Sequence, residues 1–415
     1  MASESRSTAA GAQTNALGLS SLTALPPDPL LGLMTAFRAD PRADKLDLGV
    51  GVYKDANGVT PIMSAVGKAE AALLKATATK AYESPRGNPT YGEEVLKLVF
   101  GADIDAPSRK TLDVFATPGG CGALGLAAAF LKRLSENARL WISDPSWPNH
   151  SAVAKQAGLA TGVYAYRRGS DGAPDLAAIK ADLSAAQPGD GVIVQGPCHN
   201  PTGVDLTTDQ WTQLSKLCAE KKLFPIVDVA YQGFGDGLED DIAGVRAFAK
   251  HAPEALITYS CSKNFGLYRD RCGALILKAD DADACAAAGT HIAAIARASY
   301  SMPPAHGPAI VATILSDPAL KAEWETELNA MRERITQLRS TFADALAARQ
   351  KARAAEAVKR EKGMFSLLDL NDGGAARLRE AHGVYAPRSG RINVAGLTEK
   401  TIDAAAEALA TEIRD

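Results

Sequence analysis

The sequence has few features of a metalloprotein, a disulfide-bonded protein or a membrane protein. Its 415 residues include only six cysteines and six histidines, and no two cysteines are spaced as C-x-x-C. This scatter indicates neither a metal site nor a disulfide framework and favours a reducing compartment, which we take to be the cytoplasm. The longest apolar run, from Cys121 to Leu131, is too short to cross a bilayer.

Excess charge of one sign is also lacking. The chain has 45 Lys and Arg residues against 48 Asp and Glu residues, a formal net charge of −3. This balance gives no support for binding to nucleic acid or to a membrane surface. The length suffices for one large domain and a smaller one.

The first residues have the composition of a tail. Residues 1–17 are rich in Ser, Ala and Thr and lack the apolar core of a secretory signal. A disordered tail is predicted, with an organelle transit peptide as the alternative.

One stretch stands out from the rest, and it reads TYSCSKNFGLYRDRCG from Thr258 to Gly273. The apolar residues before it predict a buried strand, so Lys263 lies just beyond a strand end. Burial lowers the pKa of a lysine, and a neutral amine attacks carbonyl groups. Lys263 is therefore a candidate to bind a carbonyl cofactor covalently. The alternative is a lysine whose ammonium group simply reaches solvent from the strand end.

A glycine-rich loop predicts an anion site. The strand from Thr111 to Phe115 is followed by Gly119, Gly120 and Cys121, and a helix is predicted from about Ala123. Free amides at a helix start bind anions, although a plain turn is the alternative. A second glycine pair, ending at Gly51 of the strand predicted for residues 46–53, lacks the third glycine of a dinucleotide motif.

Strand and helix patterns alternate between residues 111 and 260. This alternation predicts an α/β fold, a large domain with a mostly parallel sheet flanked by helices, plus a smaller α+β domain built from both chain ends. Sites in such sheets lie beyond the carboxyl ends of the strands. Five candidate residues lie at or just after predicted strand ends: Gly119, Trp147, Asn200, Asp228 and Lys263.

The same patterns predict the domain boundaries. Residues 18–60 form an N-terminal arm and part of the small domain, and residues 61–315 form the large cofactor-binding domain. Residues 316–415 form the small C-terminal domain, which includes a long connecting helix.

The candidate residues suit a phosphorylated aromatic aldehyde with a ring nitrogen that can carry a proton. The phosphate would bind to the amides of the glycine loop, to the hydroxyl groups of Ser260 and Ser262, and to Arg271. Asp228 would keep the ring nitrogen protonated. Asn200 and Tyr231 would donate to the ring oxygen.

Trp147 would stack on the ring of the same cofactor. The three strand-end side chains each have a simpler alternative: Asp228 as a turn cap, Asn200 as an Asn-Pro turn residue, and Trp147 as a core residue.

Five ordered motifs carry a family resemblance that runs from about Leu22 to the end of the chain. The motifs are the lysine stretch Ser260–Gly273, His199–Gly203, Asp228–Phe234, Pro145–His150 and Ser389–Asn393. They resemble those of the class I, fold-type I aminotransferases that use pyridoxal 5′-phosphate, and the nearest branch is that of the aspartate and aromatic amino acid aminotransferases.

The resemblance implies roles for further residues. Lys263 would bind the cofactor and then, once freed by substrate, move the proton between substrate and cofactor, with Asp228 and Tyr231 assisting. Arg391 would grip the substrate α-carboxylate, with help from Asn200 and Trp147 and with Gly51 packed close.

The resemblance also implies a homodimer with shared active sites. Arg297 would reach across the dimer interface to a side-chain carboxylate of the substrate. Tyr82 would reach the cofactor phosphate of the neighbouring subunit.

Three positions depart from the family pattern. Cys121 stands where the family usually has a Thr or Ser hydroxyl on the phosphate. Gln195 stands where a His often lies near Asp228, although His150 could still support that carboxylate. The loop from Tyr82 to Tyr91 also differs.

The sequence thus predicts transamination between aspartate or aromatic amino acids and 2-oxoglutarate, by a ping-pong cycle. A lyase or decarboxylase that uses the same cofactor on the same scaffold is the enzymatic alternative. A ligand-binding relic without catalysis is the other.

Overall fold

The computed structural model describes residues 18–19, 22–25, 28–166 and 172–414. The tail predicted for residues 1–17 lies outside the described residues. Within these ranges, no helix is both long enough and apolar enough to cross a membrane.

Helices make up nearly half of the described chain. In chain order they are α1 (Pro29–Ala39), α2 (Ser64–Ala76), α3 (Pro89–Phe100), α4 (Ala106–Lys110), α5 (Gly119–Leu134), α6 (Asn149–Gln156), α7 (Leu176–Leu183), α8 (Thr208–Lys221), α9 (Leu238–His251), α10 (Ala282–Ser299), α11 (His306–Ser316), α12 (Pro318–Ala348), α13 (Ala352–Arg360), α14 (Gly374–His382) and α15 (Ile402–Ala410).

The strands form one large sheet and two small ones. In chain order they are β1 (Leu46–Asp47), β2 (Leu112–Pro118), β3 (Arg139–Asp144), β4 (Ala160–Ala165), β5 (Gly191–Gln195), β6 (Phe224–Val229), β7 (Ala255–Ser260), β8 (Cys272–Lys278), β9 (Phe365–Leu367), β10 (Val384–Tyr385) and β11 (Arg391–Asn393).

The large sheet has seven strands in the order β2-β8-β7-β6-β5-β3-β4. The strands from β7 to β4 in this order are parallel, whereas β8 runs antiparallel to both β7 and β2. The mostly parallel α/β sheet is therefore confirmed. Because β3, β5, β6 and β7 share a direction, their carboxyl ends meet at one edge, and the candidate residues follow those ends.

The sheet is buried on both faces. Along β5, Val192 and Val194 pack into one apolar core while Ile193 packs into the other. On β6, Val227 and Ile226 divide between the same two cores. Strands covered on both faces have continuous apolar sequences rather than alternating ones, which explains why β5 and β6 stand out in the sequence.

A third apolar core belongs to a smaller α+β unit. Leu48 from the N-terminal part of the chain packs there with Phe342 of α12, Ile392 of β11 and Leu409 of α15. Strand β1 pairs in parallel with β10, and β9 pairs antiparallel with β11. Both chain ends therefore build this unit, as predicted, and we propose that it corresponds to residues 18–60 and 316–415.

Three sequence predictions differ from the structure. Helix α5 begins at Gly119 rather than about Ala123, because the glycine loop is itself the first turn of the helix. Strand β1 ends at Asp47, since its carboxylate accepts hydrogen bonds from the backbone N–H groups of Gly49 and Val50 and turns the chain. Strand β8 and helix α10 were not predicted at all.

Candidate active site

A cavity of about 200 Å³ opens at the carboxyl edge of the large sheet. It brings together most of the predicted site residues: Gly51, Gly120, Cys121, Trp147, Asn200, Asp228, Tyr231, Ser260, Ser262, Lys263 and Arg271. Its wall also includes Leu124, Gln195, Pro197, Ala230 and Tyr268. Of these five, the sequence marked only Gln195 as unusual, because it departs from the family pattern. Within the described residues, no cluster of His, Cys, Asp and Glu could hold a metal ion.

Lys263 lies in the turn that follows β7 and faces this cavity. Its Nζ atom lies 4.8 Å from the centroid of the Tyr231 ring. Burial lowers the pKa of the Lys263 amine, and the nearby Asp228 carboxylate opposes this effect without cancelling it. The amine therefore loses its proton more easily than a surface lysine does.

Asp228 lies near the end of β6 and is only 9% exposed. Its Oδ1 atom accepts a hydrogen bond of 2.8 Å from the Thr258 hydroxyl, and its Oδ2 atom lies 3.0 Å from Nε2 of His150. Thr258 was missed in the sequence because its role depends on strand register: β6 and β7 place it beside Asp228. These contacts stabilise the carboxylate and leave it on the cavity wall.

The start of α5 forms the opposite part of the cavity. Among the described residues, no side chain caps its first turn, so backbone N–H groups there are free to bind an anion. Gly119 has φ of +71°, and a Cβ atom built on it would lie 2.8 Å from Cζ of Arg271. A glycine is needed here because the guanidinium group lies against the backbone, next to the predicted phosphate position.

Cys121 follows these glycines and presents a solvent-exposed thiol to the cavity. Its Sγ atom accepts a hydrogen bond of 3.2 Å from Nδ2 of Asn149. A thiol is a weaker donor than the hydroxyl group expected from the resemblance. We therefore expect binding of the cofactor phosphate to depend more on Arg271, Ser260 and Ser262 than on Cys121.

Trp147 lines the same cavity but is not buried in the core. Its ring lies edge-on to the His150 imidazole, with centroids 5.4 Å apart. Trp147 is half-buried and also packs against one apolar core, so both the stacking role and the packing role stay predictions.

Arg391 is the second cation near the cavity, and it is 8% exposed. Its guanidinium group donates to Oδ1 of Asn200 at 3.2 Å and to the Gly49 carbonyl at 2.6 Å. No carboxylate of the described chain pairs with it. A buried guanidinium group without a counter-ion is costly, so this geometry favours binding of an external carboxylate.

Phe365 supports this arginine and was missed in the sequence. The Arg391 guanidinium carbon lies 4.4 Å from the centroid of the Phe365 ring, and Tyr231 contacts the same ring edge-on. A Cβ atom built on Gly51 would lie only 2.8 Å from Cζ of Phe365. No motif pointed to Phe365, because its part in the site follows only from how the small unit packs.

Four predicted residues are not part of the cavity wall: Gly119 and Arg391 lie beside it, and Tyr82 and Arg297 lie away from it. Tyr82 is 91% exposed. Arg297 is also exposed, and its guanidinium group donates to the Ser301 hydroxyl. Their segments are neighbours, since the backbone N–H of Glu83 lies 3.3 Å from the sulfur atom of Met302. One chain alone therefore does not bring Tyr82 and Arg297 into its own cavity.

Comparisons with known proteins agree with one another. The profile of the family described as "Aminotransferase class I and II" matches residues 43–409. The chain is 46% identical over 388 residues to the aspartate aminotransferase of Salmonella typhi, covering 94% of this chain and 98% of the relative. It is 45% identical over 391 residues to the aromatic-amino-acid aminotransferase of Pseudomonas aeruginosa, with the same coverage.

Solved structures give the same result. The aromatic-amino-acid aminotransferase of Burkholderia pseudomallei, solved covalently bound to pyridoxal phosphate, matches with a TM-score of 0.91 and 38% identity. The match covers 95% of this chain and 99% of that one.

Proposed function

The chain belongs to the class I and II aminotransferase family and is a transaminase that uses pyridoxal 5′-phosphate, and from this premise we propose which residues act and on which substrates. The proposed reaction moves an amino group from aspartate or an aromatic amino acid to 2-oxoglutarate. One observation carries the proposal that the substrate is bound by its α-carboxylate: the buried Arg391 guanidinium group has no carboxylate partner within the described chain and lies beside the cavity that Lys263 faces.

The residues of the cavity fit the cofactor. The uncapped start of α5 and Arg271 suit a phosphate, and the buried Asp228 suits a protonated ring nitrogen. Asn200 and Tyr231 supply donors for the ring oxygen, and the exposed face of Trp147 suits stacking. When bound there, the cofactor supplies an electron sink for the carbanion that forms at the substrate Cα atom.

The chain's own groups perform the remaining steps. Lys263, with its lowered pKa, provides the nucleophilic amine that holds the cofactor. Once substrate displaces it, the free amine of Lys263 would act as the base that takes the proton from the substrate Cα atom and would carry that proton to the cofactor. Asp228 would accept a hydrogen bond from the ring nitrogen, and Arg391 would orient the α-carboxylate.

The substrate range follows from the second carboxylate. Curated relatives include both aspartate and aromatic-amino-acid aminotransferases at nearly equal identity. Arg297 suits a dicarboxylate, and its long flexible side chain can withdraw for an aromatic ring. We therefore propose that both classes are substrates. A lyase or decarboxylase is not favoured, because the relatives are aminotransferases and because such an enzyme needs no second carboxylate clamp.

We propose that the chain works as a homodimer in the cytoplasm. Among the large apolar side chains exposed in the described chain, the six most exposed are Leu19, Leu22, Leu25, Ile62, Leu74 and Tyr82. Three of them lie on one short N-terminal segment, which a partner subunit would cover. Tyr82 and Arg297 lie on neighbouring segments, so one interface can deliver both to a partner's cavity.

Replacement of Arg297 by alanine tests the substrate proposal. We expect kcat/KM for aspartate to fall about 10²- to 10³-fold, because truncation of one partner of a buried charge pair costs about 2–5 kcal/mol. Turnover of phenylalanine and tyrosine is expected to change much less. The control is Arg353→Ala, which removes the same charge from an exposed position on α13. Equal losses on aspartate and phenylalanine would contradict the proposed role of Arg297.

Mixing two inactive variants tests the shared sites. A Lys263→Ala subunit paired with an Arg297→Ala subunit forms one dimer site that lacks both groups and one that has both. After unfolding and refolding together, about one quarter of all sites are expected to be intact, with matching aspartate turnover. Each variant alone is the control. If the mixture is no more active than the sum of its parts, Arg297 does not cross between subunits.

A further inference from the structure

Gln195 is the last residue of β5, and strand register places it beside Asp228 of β6. Its side chain is 7% exposed and forms part of the cavity wall. No step proposed above uses it. A buried primary amide needs partners for one acceptor and two donor hydrogens, so its contacts show what it holds in place.

Both polar atoms of the Gln195 amide form hydrogen bonds with the backbone of Asn200. Its Oε1 atom accepts from the N–H of Asn200 at 3.0 Å, and its Nε2 atom donates to the carbonyl of Asn200 at 3.0 Å. The reverse orientation of the amide would set donors against donors, so the orientation is fixed. The Asn200 side chain then lies 3.2 Å from Arg391 and 3.5 Å from the Tyr231 hydroxyl.

The same nitrogen begins a chain of hydrogen bonds towards Asp228. Nε2 of Gln195 lies 3.3 Å from the Ser146 hydroxyl, which also accepts from the Ser143 hydroxyl at 3.1 Å and lies 2.9 Å from Nδ1 of His150. Nε2 of His150 lies 3.0 Å from the carboxylate of Asp228. Because an ionised carboxylate only accepts, His150 donates to it, and neutral Nδ1 accepts from Ser146. Every donor therefore points from Gln195 towards Asp228.

A second histidine fixes the start of this chain. Nε2 of His199 lies 3.0 Å from Nε2 of Gln195, and an amide nitrogen can only donate. His199 therefore accepts there and donates from Nδ1 to the Thr202 hydroxyl, 2.9 Å away. Burial lowers the pKa of His199 to about 3, so it stays neutral at physiological pH. One amide hydrogen of Gln195 goes to the Asn200 carbonyl, and the other is shared between Ser146 and His199.

We propose that Gln195 is a positioning residue that couples the two halves of the active site. Through Asn200 it sets the Arg391 side, which binds the substrate carboxylate. Through Ser146 and His150 it fixes the direction of the hydrogen bonds that Asp228 accepts beside the cofactor ring. An amide does not titrate near neutral pH, so the donors and acceptor of Gln195 itself do not change with pH. This inference rests on the proposed function.

Gln195→Leu tests the proposal, since leucine approximates the shape of the side chain and removes its hydrogen bonds. We expect KM for aspartate to rise and kcat to fall, each about tenfold, the lower end of what loss of an outer supporting hydrogen bond costs. The midpoint of the pH titration of the bound cofactor's absorbance should shift, because Asp228 loses its fixed donors. Cofactor retention after gel filtration gives a readout independent of turnover.

Gln195→Glu is the second variant and keeps the protein folded if leucine does not. As a neutral acid, glutamate accepts from the N–H of Asn200 and keeps one donor hydrogen. Burial raises the pKa of a carboxyl group, so the donor is present at low pH and lost as pH rises through that pKa. We expect KM near the wild-type value at low pH and a rise in KM with pH that the wild type lacks. His150, His199 and Asp228 face this group.

Ser215→Ala is the matched control for loss of a buried hydrogen bond. The Ser215 hydroxyl is fully buried on α8 and donates to the Phe248 carbonyl at 2.7 Å, away from the cavity wall. It should lower the melting temperature and leave the absorbance titration unchanged. If Gln195→Leu behaves like Ser215→Ala, or if Gln195→Glu shows no new pH dependence, the proposal is wrong. If the wild-type protein catalyses no transamination, the proposed function itself is wrong.

Discussion

Lys263→Ala is expected to lower aspartate transamination by about 10⁴-fold, the upper end of what a positioned general acid or base contributes. The variant loses both the amine that attaches the cofactor and the base that moves the Cα proton. No other lysine of the described chain lines the cavity, so no neighbour can replace it. Steady-state turnover and single-turnover absorbance changes on addition of aspartate measure the loss.

Two controls separate this chemistry from the loss of a buried lysine. Lys278 of β8 is half-buried, its pKa is also lowered by burial, and its Nζ atom donates to the Ala252 carbonyl at 2.7 Å. Lys278→Ala should therefore affect stability but not turnover. Lys263→Arg keeps the positive charge without a nucleophilic amine and should be as inactive as the alanine variant. Transamination by Lys263→Ala at the wild-type rate would refute the mechanism.

Asp228→Asn should have the second largest effect, a loss of about 10²- to 10⁴-fold in kcat. Asparagine has almost the same shape but no charge, so the protonated ring nitrogen loses its counter-ion. Breaking a buried ion pair from one side costs about 3–5 kcal/mol, and each 1.36 kcal/mol is a factor of ten. The measurement is kcat together with the pH titration of the bound cofactor's absorbance. The midpoint that reports the ring nitrogen should move to lower pH, because its protonated form has lost its counter-ion.

Asp190→Asn is the matched control for this prediction. Asp190 is 6% exposed and lies just before β5, at the other end of the strand from Gln195. Its carboxylate accepts from the backbone N–H of Arg139 at 2.8 Å and from Nε1 of Trp141 at 3.0 Å. Its replacement should lower the melting temperature with little change in the absorbance titration. An Asp228→Asn variant with normal kcat would show that this carboxylate does not act on the ring.

The sequence predicted the parts of the fold that have a local pattern. Strands β5, β6 and β7 were found because burial on both faces makes them apolar throughout. Strand β8 is equally apolar, but no helix separates it from the lysine motif. It was missed because strands were expected to alternate with helices. Helix α10 is rich in alanine, which weakens the contrast between its apolar and polar faces.

The same distinction applies to the site. Lys263 and Asp228 were identifiable because each lies at or just after the end of a recognisable strand. Thr258 and Phe365 were not, since their contacts depend on strand register and on how the small unit packs against the large one. The sequence showed Gln195 to be unusual, but only the distances around its amide show what it holds.

The contact between Gly51 and Phe365 constrains how this active site can change. Any side chain at position 51 meets the ring at position 365, and that ring also supports Arg391. A side chain added at position 51 alone therefore displaces the Phe365 ring and disturbs Arg391, which binds the substrate carboxylate. A smaller residue at position 365 would first have to make room for that side chain. We expect the two positions to evolve together, and libraries that aim to reshape substrate preference should vary them as a pair.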